Sequence, residues 1–137
     1  MSAQKPFLLV EHSSEDVFRF ENALREAELL NPIVKIHNNE EAALYLAGQG
    51  RFADRAGFPF PSVLFLDLGL PGATGFETLA SLRKTYPRPE LVLVALTGSE
   101  DPEIARKAYR LGADLLFVTP ARPHDFLNLR SAFPGAV

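Results

Sequence analysis

Blocks of consecutive apolar residues alternate along this chain with segments in which apolar residues recur every three or four positions. The blocks are Phe7-Leu8-Leu9-Val10, the stretch 32–36, Val63-Leu64-Phe65-Leu66, Leu91-Val92-Leu93-Val94-Ala95 and Leu115-Leu116-Phe117-Val118. Unalternated apolar runs of this length predict strands buried on both faces, the pattern of a parallel sheet. Between them lie helical patterns. Val17, Phe20, Leu24 and Ala27 mark one face of a first helix, opened by Ser13 and Asp16 at capping-box spacing. Asn38 or Asn39 starts a short second helix, with Ala43, Leu44 and Ala47 inward and Gly48 as its stop. Phe76, Leu79, Ala80 and Leu82 predict a third helix. Asp101-Pro102 supplies the N-cap and first-turn proline of a fourth, whose stripe is Ile104, Ala105, Ala108 and Leu111 and whose end is Gly112. A fifth spans 123–133, with Phe126, Leu129 and Phe133 on one side.

The segment 49–61 is broken by Gly50, Gly57, Pro59 and Pro61 and reads as a long loop, whose Phe52, Phe58 and Phe60 are expected to fold back onto the body. Five strands alternating with five helices predict one α/β domain over 1–137: a five-stranded parallel sheet, doubly wound in the flavodoxin-like manner with right-handed crossovers.

Composition removes several function classes. The 137 residues are 47% hydrophobic and 23% charged, as in ordinary globular domains. A net charge of −3 argues against a nucleic-acid partner, which calls for clustered Lys and Arg. With no cysteine there are no disulfides, thiolate metal sites or cysteine nucleophiles. No apolar run approaches the roughly 20 residues that span a bilayer, and the first residues lack a signal-peptide pattern. The expectation is a cytoplasmic protein with no membrane partner.

Candidate chemistry sits at the strand ends. In an open parallel sheet the C-terminal ends share one rim, where ligands bind. Here those ends carry Glu11 and His12, Asp67, Thr97, and Thr119-Pro120. A carboxylate closing a buried strand is costly unless charge or hydrogen bonds meet it. The first strand is followed by Glu11-His12-Ser13-Ser14 rather than a Gly-rich phosphate-binding turn, which disfavours a flavodoxin-like cofactor-binding module. No Ser-His-Asp elbow is present either. Architecture by itself leaves that alternative open.

Leu9-Val10-Glu11, Leu66-Asp67-Leu68-Gly69-Leu70-Pro71-Gly72 with Gly75, Ala95-Leu96-Thr97, and Leu111-Gly112-Ala113-Asp114 running into Val118-Thr119-Pro120 together resemble the response-regulator receiver domain of two-component systems, over nearly the whole chain. Ala53-Asp54-Arg55-Ala56-Gly57-Phe58-Pro59 and the helix start Glu15-Asp16-Val17 further resemble phytochrome-associated, single-domain regulators. The resemblance implies a stand-alone phosphorelay receiver, a signalling module rather than an enzyme, whose partner is a histidine kinase of the bacteriophytochrome kind. It implies that Asp67 is the phospho-acceptor, that Thr97 hydrogen-bonds the phosphoryl group, and that Mg2+ is held by Glu11, Asp67 and the Gly69 carbonyl. It also implies a cis Thr119-Pro120 bond.

Three positions depart from the family's pattern. His12 stands where a metal-ligating Asp is usual, Thr119 where a phosphate-pairing Lys is usual, and Leu116 where an aromatic swings with the Thr97 loop. Phe117 is one residue off and is expected on the opposite face. These changes predict an atypical receiver, with a degenerate site, acting through protein contacts with its kinase or with itself. The alternative is a conventional Mg-dependent acceptor at Asp67. His12 is either protonated against Glu11 and Asp67, supplying local positive charge, or neutral and turned to solvent. Glu15 and Asp16 either replace the lost ligand or serve as solvated first-turn residues favouring the helix dipole. An apolar edge at 115–118 with Tyr109 before it predicts a homodimer through the fourth-helix/fifth-strand region.

Overall fold

The computed structural model describes residues 4–11, 13–69 and 75–137. His12 and the Leu70-Pro71-Gly72 part of the acceptor motif lie outside the described residues. Strands and helices alternate without exception: β1 (Phe7–Val10), α1 (Ser14–Glu26), β2 (Ile33–Ile36), α2 (Asn39–Ala47), β3 (Val63–Asp67), α3 (Gly75–Thr85), β4 (Val92–Thr97), α4 (Pro102–Arg110), β5 (Leu115–Val118) and α5 (Pro123–Ala132). The strands are parallel in the order β2-β1-β3-β4-β5, which leaves β2 and β5 at the edges. The chain reverses direction across the sheet between β1 and β3, and that switch point opens a crevice at the strand C-termini.

The unalternated apolar runs follow from cover on both faces. Leu8, Val10, Leu64, Leu66, Leu93 and Ala95 point to the side carrying Tyr45 and Leu46 of α2, Leu79 and Leu82 of α3, and Ala108 of α4. Their neighbours Phe7, Leu9, Val63, Phe65, Val94 and Leu96 point to the side carrying Phe20 and Leu24 of α1 and Phe126 and Leu129 of α5. Each such Leu or Phe contributes roughly 1.5–3 kcal/mol by leaving water. Phe65 is the centre of the second core, with ring centroids of Phe20, Phe7 and Phe126 at 4.8, 5.4 and 6.0 Å in edge-on contact.

Helix ends obey local chemistry. Ser13 caps α1, its Oγ accepting from Asp16 N at 3.3 Å. Asn38 caps α2, its Oδ1 accepting from Glu41 N at 2.8 Å, and Gly48 closes that helix at φ +65°.

Two expected faces differ. In α2 the buried residues are Asn39, Ala42, Tyr45 and Leu46, while Ala43, Leu44 and Ala47 are exposed. Tyr45 explains the shift: its ring is fully buried and its hydroxyl donates to the Pro59 carbonyl at 2.9 Å, so a residue with a polar tip is the helix's main anchor. In α4 only Ala108 of the expected stripe is buried; Ile104, Ala105 and Leu111 are half-buried, because the sheet ends at β5 beneath that helix. β4 also runs two residues further than the apolar block, which makes Thr97 its last residue.

The segment 49–61 folds back as expected. Phe52 is buried, and Phe58 and Phe60 pack on the same core. Arg55 ties the loop down, donating to Leu46 O at 2.7 Å and Phe58 O at 2.9 Å. Among the described residues, no helix is long and apolar enough to cross a membrane.

Candidate functional site

Four of the singled-out residues meet at one rim because adjacent strands carry them at matching levels. Val10 pairs with Leu66, which places Glu11 level with Asp67; Asp67 pairs with Leu96, and Thr97 with Val118, one residue before Thr119.

Asp67 is half-buried at the end of β3, and its Oδ1 accepts from Gly69 N at 2.7 Å. That bond bends the chain into a turn. Leu68 N donates to Leu96 O at 2.9 Å, carrying the sheet pairing one step past the carboxylate. Oδ2 makes no hydrogen bond to a described residue. Gly75 opens α3 flush against this turn: a Cβ there would lie 2.5 Å from Leu68 Cα and 3.1 Å from Asp67 O. Only a residue without a side chain allows the helix to start so close to the Asp67 backbone.

Glu11 is 6% exposed, and its Oε1 accepts from Ser13 N at 3.2 Å. A cavity of about 10 Å3, room for one water, lies beside it and is lined by Glu11, Asp16, Phe20, Leu96, Thr119 and Pro120 among others. No Lys or Arg lines that cavity. Thr97 is 7% exposed, and its Oγ1 accepts from Ser99 N at 3.1 Å, leaving the hydroxyl proton to donate. Thr119 turns toward β4. Its N–H donates to Thr97 O at 2.8 Å, and its Oγ1 lies 3.4 Å from the same carbonyl. A hydroxyl held against a carbonyl carries no charge to the rim. The Thr119-Pro120 peptide is cis, as the resemblance implied. Arg122 is exposed at the start of α5 and does not line the cavity.

Leu116 is half-buried against the core on the α2–α4 side, and Phe117, 2% exposed, faces the opposite core, as its one-residue offset predicts. Glu15 is exposed and pairs with Arg19 at 2.7 Å, so it serves its own helix. Asp16 is also exposed but borders the cavity beside Glu11.

The described donors do not fit a tightly held magnesium ion. Glu11 and Asp67 supply two carboxylates, each with one oxygen already accepting a backbone N–H of its own turn. No group of three or more Asp, Glu, His or Cys side chains among the described residues is placed to hold a metal. Mg2+ demands near-ideal octahedral oxygen geometry, and the position that would complete the acidic set is a histidine, whose nitrogen suits softer ions.

Sequence reasoning did not single out three supporting groups. Ser99, two residues past Thr97, orients its hydroxyl, and the backbone of Ser13, two past Glu11, meets that carboxylate. The third lies at the other end of the sheet. Asp114, with a side chain 4% exposed, binds Arg83 Nη2 at 2.5 Å, Arg88 Nε at 2.5 Å and Leu93 N at 2.9 Å. Arg83 also donates to Gly112 O and Leu91 O, both at 2.8 Å. Burial lowers the Arg83 pKa from its ordinary value, and Asp114 opposes that shift. This clamp fixes where β5 begins, and therefore where Thr119 follows it. In sequence, Asp114 stands in the Leu111-Gly112-Ala113-Asp114 motif at a strand boundary, with nothing local to show that Arg83 and Arg88 converge on it.

A family model described as "Response regulator receiver domain" matches residues 7–129. The chain is 26% identical over 129 residues to the response regulator Rcp1 of Synechocystis, covering 94% of this chain and 82% of that protein. Among solved structures it is similar to the bacteriophytochrome response regulator AtBRR, at 29% identity and TM-score 0.83, covering 99% of this chain and 96% of that one. It is likewise similar to a response regulator in red light signalling of R. palustris, at 28% identity and TM-score 0.80, covering 94% and 91%.

Proposed function

This chain belongs to the response regulator receiver family, and from that premise we propose that it receives a signal from a histidine kinase and transmits it by protein contact, with an acceptor site weakened at two positions. The observation that carries this reading is Thr119. Just past the end of β5 a hydroxyl rests on the Thr97 carbonyl, and among the described residues no Lys or Arg lines the small cavity that Thr119 shares with Glu11.

Phosphoryl transfer to Asp67 forms a P–O bond at its free carboxylate oxygen and breaks the P–N bond of a kinase phosphohistidine. The transition state is loose and spreads negative charge over the phosphoryl oxygens, so catalysis rests on positioning and charge neutralisation. Asp67 and Glu11 bring negative charge to that same rim. Thr97 supplies one hydrogen bond. Thr119 supplies no counter-charge, and the described carboxylates do not form a tight metal cage. Losing one such electrostatic contact costs about 3–4 kcal/mol, or two to three orders of magnitude in rate. Switching at Asp67 is therefore slow and weakly metal-dependent.

A second reading is a conventional magnesium-dependent acceptor, favoured by the convergence of Glu11, Asp67 and Thr97 on one rim. Incubation with acetyl phosphate and magnesium, followed by intact-mass spectrometry beside Asp67→Asn, separates the two. The weakened site predicts labelling at least a hundredfold slower than in a receiver that keeps the full acidic pair and lysine. An equal rate would overturn it.

The partner proposed is a bacteriophytochrome-type kinase, since one similar structure is a bacteriophytochrome response regulator and another acts in red light signalling. The cytoplasm is the compartment proposed for that pairing. A homodimer through α4 and β5 is supported by the exposed side chains of Tyr109 and Val118 beside the open β5 edge. Light scattering that gives only monomer at high concentration would remove the dimer.

A further inference from the structure

The end of the sheet opposite Asp67 holds a second concavity. It lies where β3 and β4 begin and measures about 510 Å3, within the range of roughly 300–1,000 Å3 usual for small-molecule sites. Pro89, Phe133 and Ala136 contribute its apolar surface, over a nearly buried floor of Leu91 and Val92, 1% and 8% exposed; Gly135 and Ala136 belong to the short turn Pro134–Ala136. That turn is fastened in place by Ser62, whose Oγ donates to Ala136 O at 2.6 Å.

Two cations border this apolar surface. The Arg88 guanidinium is held by Asp114 Oδ1 at 2.5 Å from Nε, and by Gly112 O and Ala113 O at 3.2 and 3.3 Å from Nη2. Its Nη1 has no hydrogen-bond partner among the described residues. The Lys5 ammonium makes no ion pair among them either. Of the two carboxylates in the lining, Asp114 is already neutralised by Arg83 and Arg88, and Glu90 makes no ion pair among the described residues.

We propose that this cavity binds a small carboxylate with an apolar body, an aryl or branched-alkyl acid, as a second ligand site remote from the phospho-acceptor rim. The carboxylate meets Arg88 Nη1 and Lys5, and the apolar part covers Pro89, Phe133 and Ala136 above the floor of Leu91 and Val92. A guanidinium already pinned on two of its nitrogens loses little freedom when a ligand arrives. Apolar cover lowers the local dielectric and strengthens the ion contact. Nothing in the proposal depends on Asp67, so it stands or falls separately from the function proposed above.

The test uses the full chain, 15N-labelled, titrated with 2-naphthoate, with the neutral 2-naphthalenemethanol and with inorganic phosphate. The site predicts saturable shifts at the amides of Leu91, Val92, Gly135 and Ala136, with a Kd below about 1 mM. Naphthoate is expected to bind at least fivefold more tightly than the neutral alcohol, and phosphate is expected to leave those amides unmoved. Gly135 faces open space, with nothing within 4 Å of an added Cβ, so Gly135→Trp leaves the core intact and is expected to weaken naphthoate at least tenfold. Shifts that do not saturate, equal binding of the alcohol, matching shifts with phosphate alone, or an unchanged Kd in Gly135→Trp would each overturn the proposal.

Discussion

Replacing Asp114 by Asn tests how far a single buried carboxylate organises the frame that carries the Asp67 rim. The carboxylate is 4% exposed and accepts from Arg83, Arg88 and Leu93 N. An amide keeps the size but has one acceptor oxygen, and its NH2 must face one of the donors. More costly is the loss of charge. Arg83 is only 11% exposed and would be left as a buried cation without its counter-ion. Breaking such a pair from one side costs about 3–5 kcal/mol. Arg88, at 55% exposed, adds no more than about 1 kcal/mol after solvent screening. Because the amide oxygen still accepts from one donor, we expect a loss at the lower end of that range, about 3–4 kcal/mol. At roughly 2.1 cal/mol/K per residue, the chain unfolds with an entropy of about 0.29 kcal/mol/K, so Tm should fall by about 10–14 °C. Thermal scans and urea unfolding at pH 7 measure both quantities. Arg88→Ala should cost about 1 kcal/mol or less, and the paired change Arg83→Met/Asp114→Leu should recover much of the loss, since it removes both buried charges together. A loss below about 1 kcal/mol in Asp114→Asn would refute the clamp as a determinant of stability.

Thr119→Lys should raise the rate of Asp67 labelling by acetyl phosphate at least tenfold, because it returns a cation to the rim; an unchanged rate removes Thr119 as the weak point. Gly75→Ala should destabilise by about 1–3 kcal/mol through contact with the Leu68 backbone, read by urea midpoint, and a neutral result would mean that α3 shifts freely. The Arg51 side-chain bond, opposed by burial and aided by the His37 backbone N–H, holds the Glu41 carboxyl below its ordinary 4.5. A depressed carboxylate stabilises above its unfolded pKa and loses that contribution as pH falls through the folded one. The stability gap between the wild type and Glu41→Gln should thus be flat above about pH 5 and close at lower pH; a gap that widens on acidification contradicts the assignment. Isothermal titration with Mg2+ should give a Kd in the millimolar range or weaker, and micromolar binding would show that the site assembles a full metal cage.

The chain's own pattern determined the architecture, because a parallel sheet covered on both faces leaves runs such as 63–66 and 91–95 that admit little else. It also determined the rim: strand ends in such a sheet share one edge, so Glu11, Asp67, Thr97 and Thr119 are neighbours once the strands are known. The opposite orientations of Leu116 and Phe117 follow from the two-residue period of a strand in the same way. Other features needed the third dimension. Tyr45 became the anchor of α2 only because a carbonyl 14 residues later receives its hydroxyl. Asp114 became a buried hub only because arginines 31 and 26 residues earlier in sequence converge on it. Whether Thr119 faced Asp67 or a backbone carbonyl was likewise a question of tertiary geometry. Periodicity is local and survives in one dimension, whereas the partner of a buried polar group is chosen by packing between segments distant in sequence.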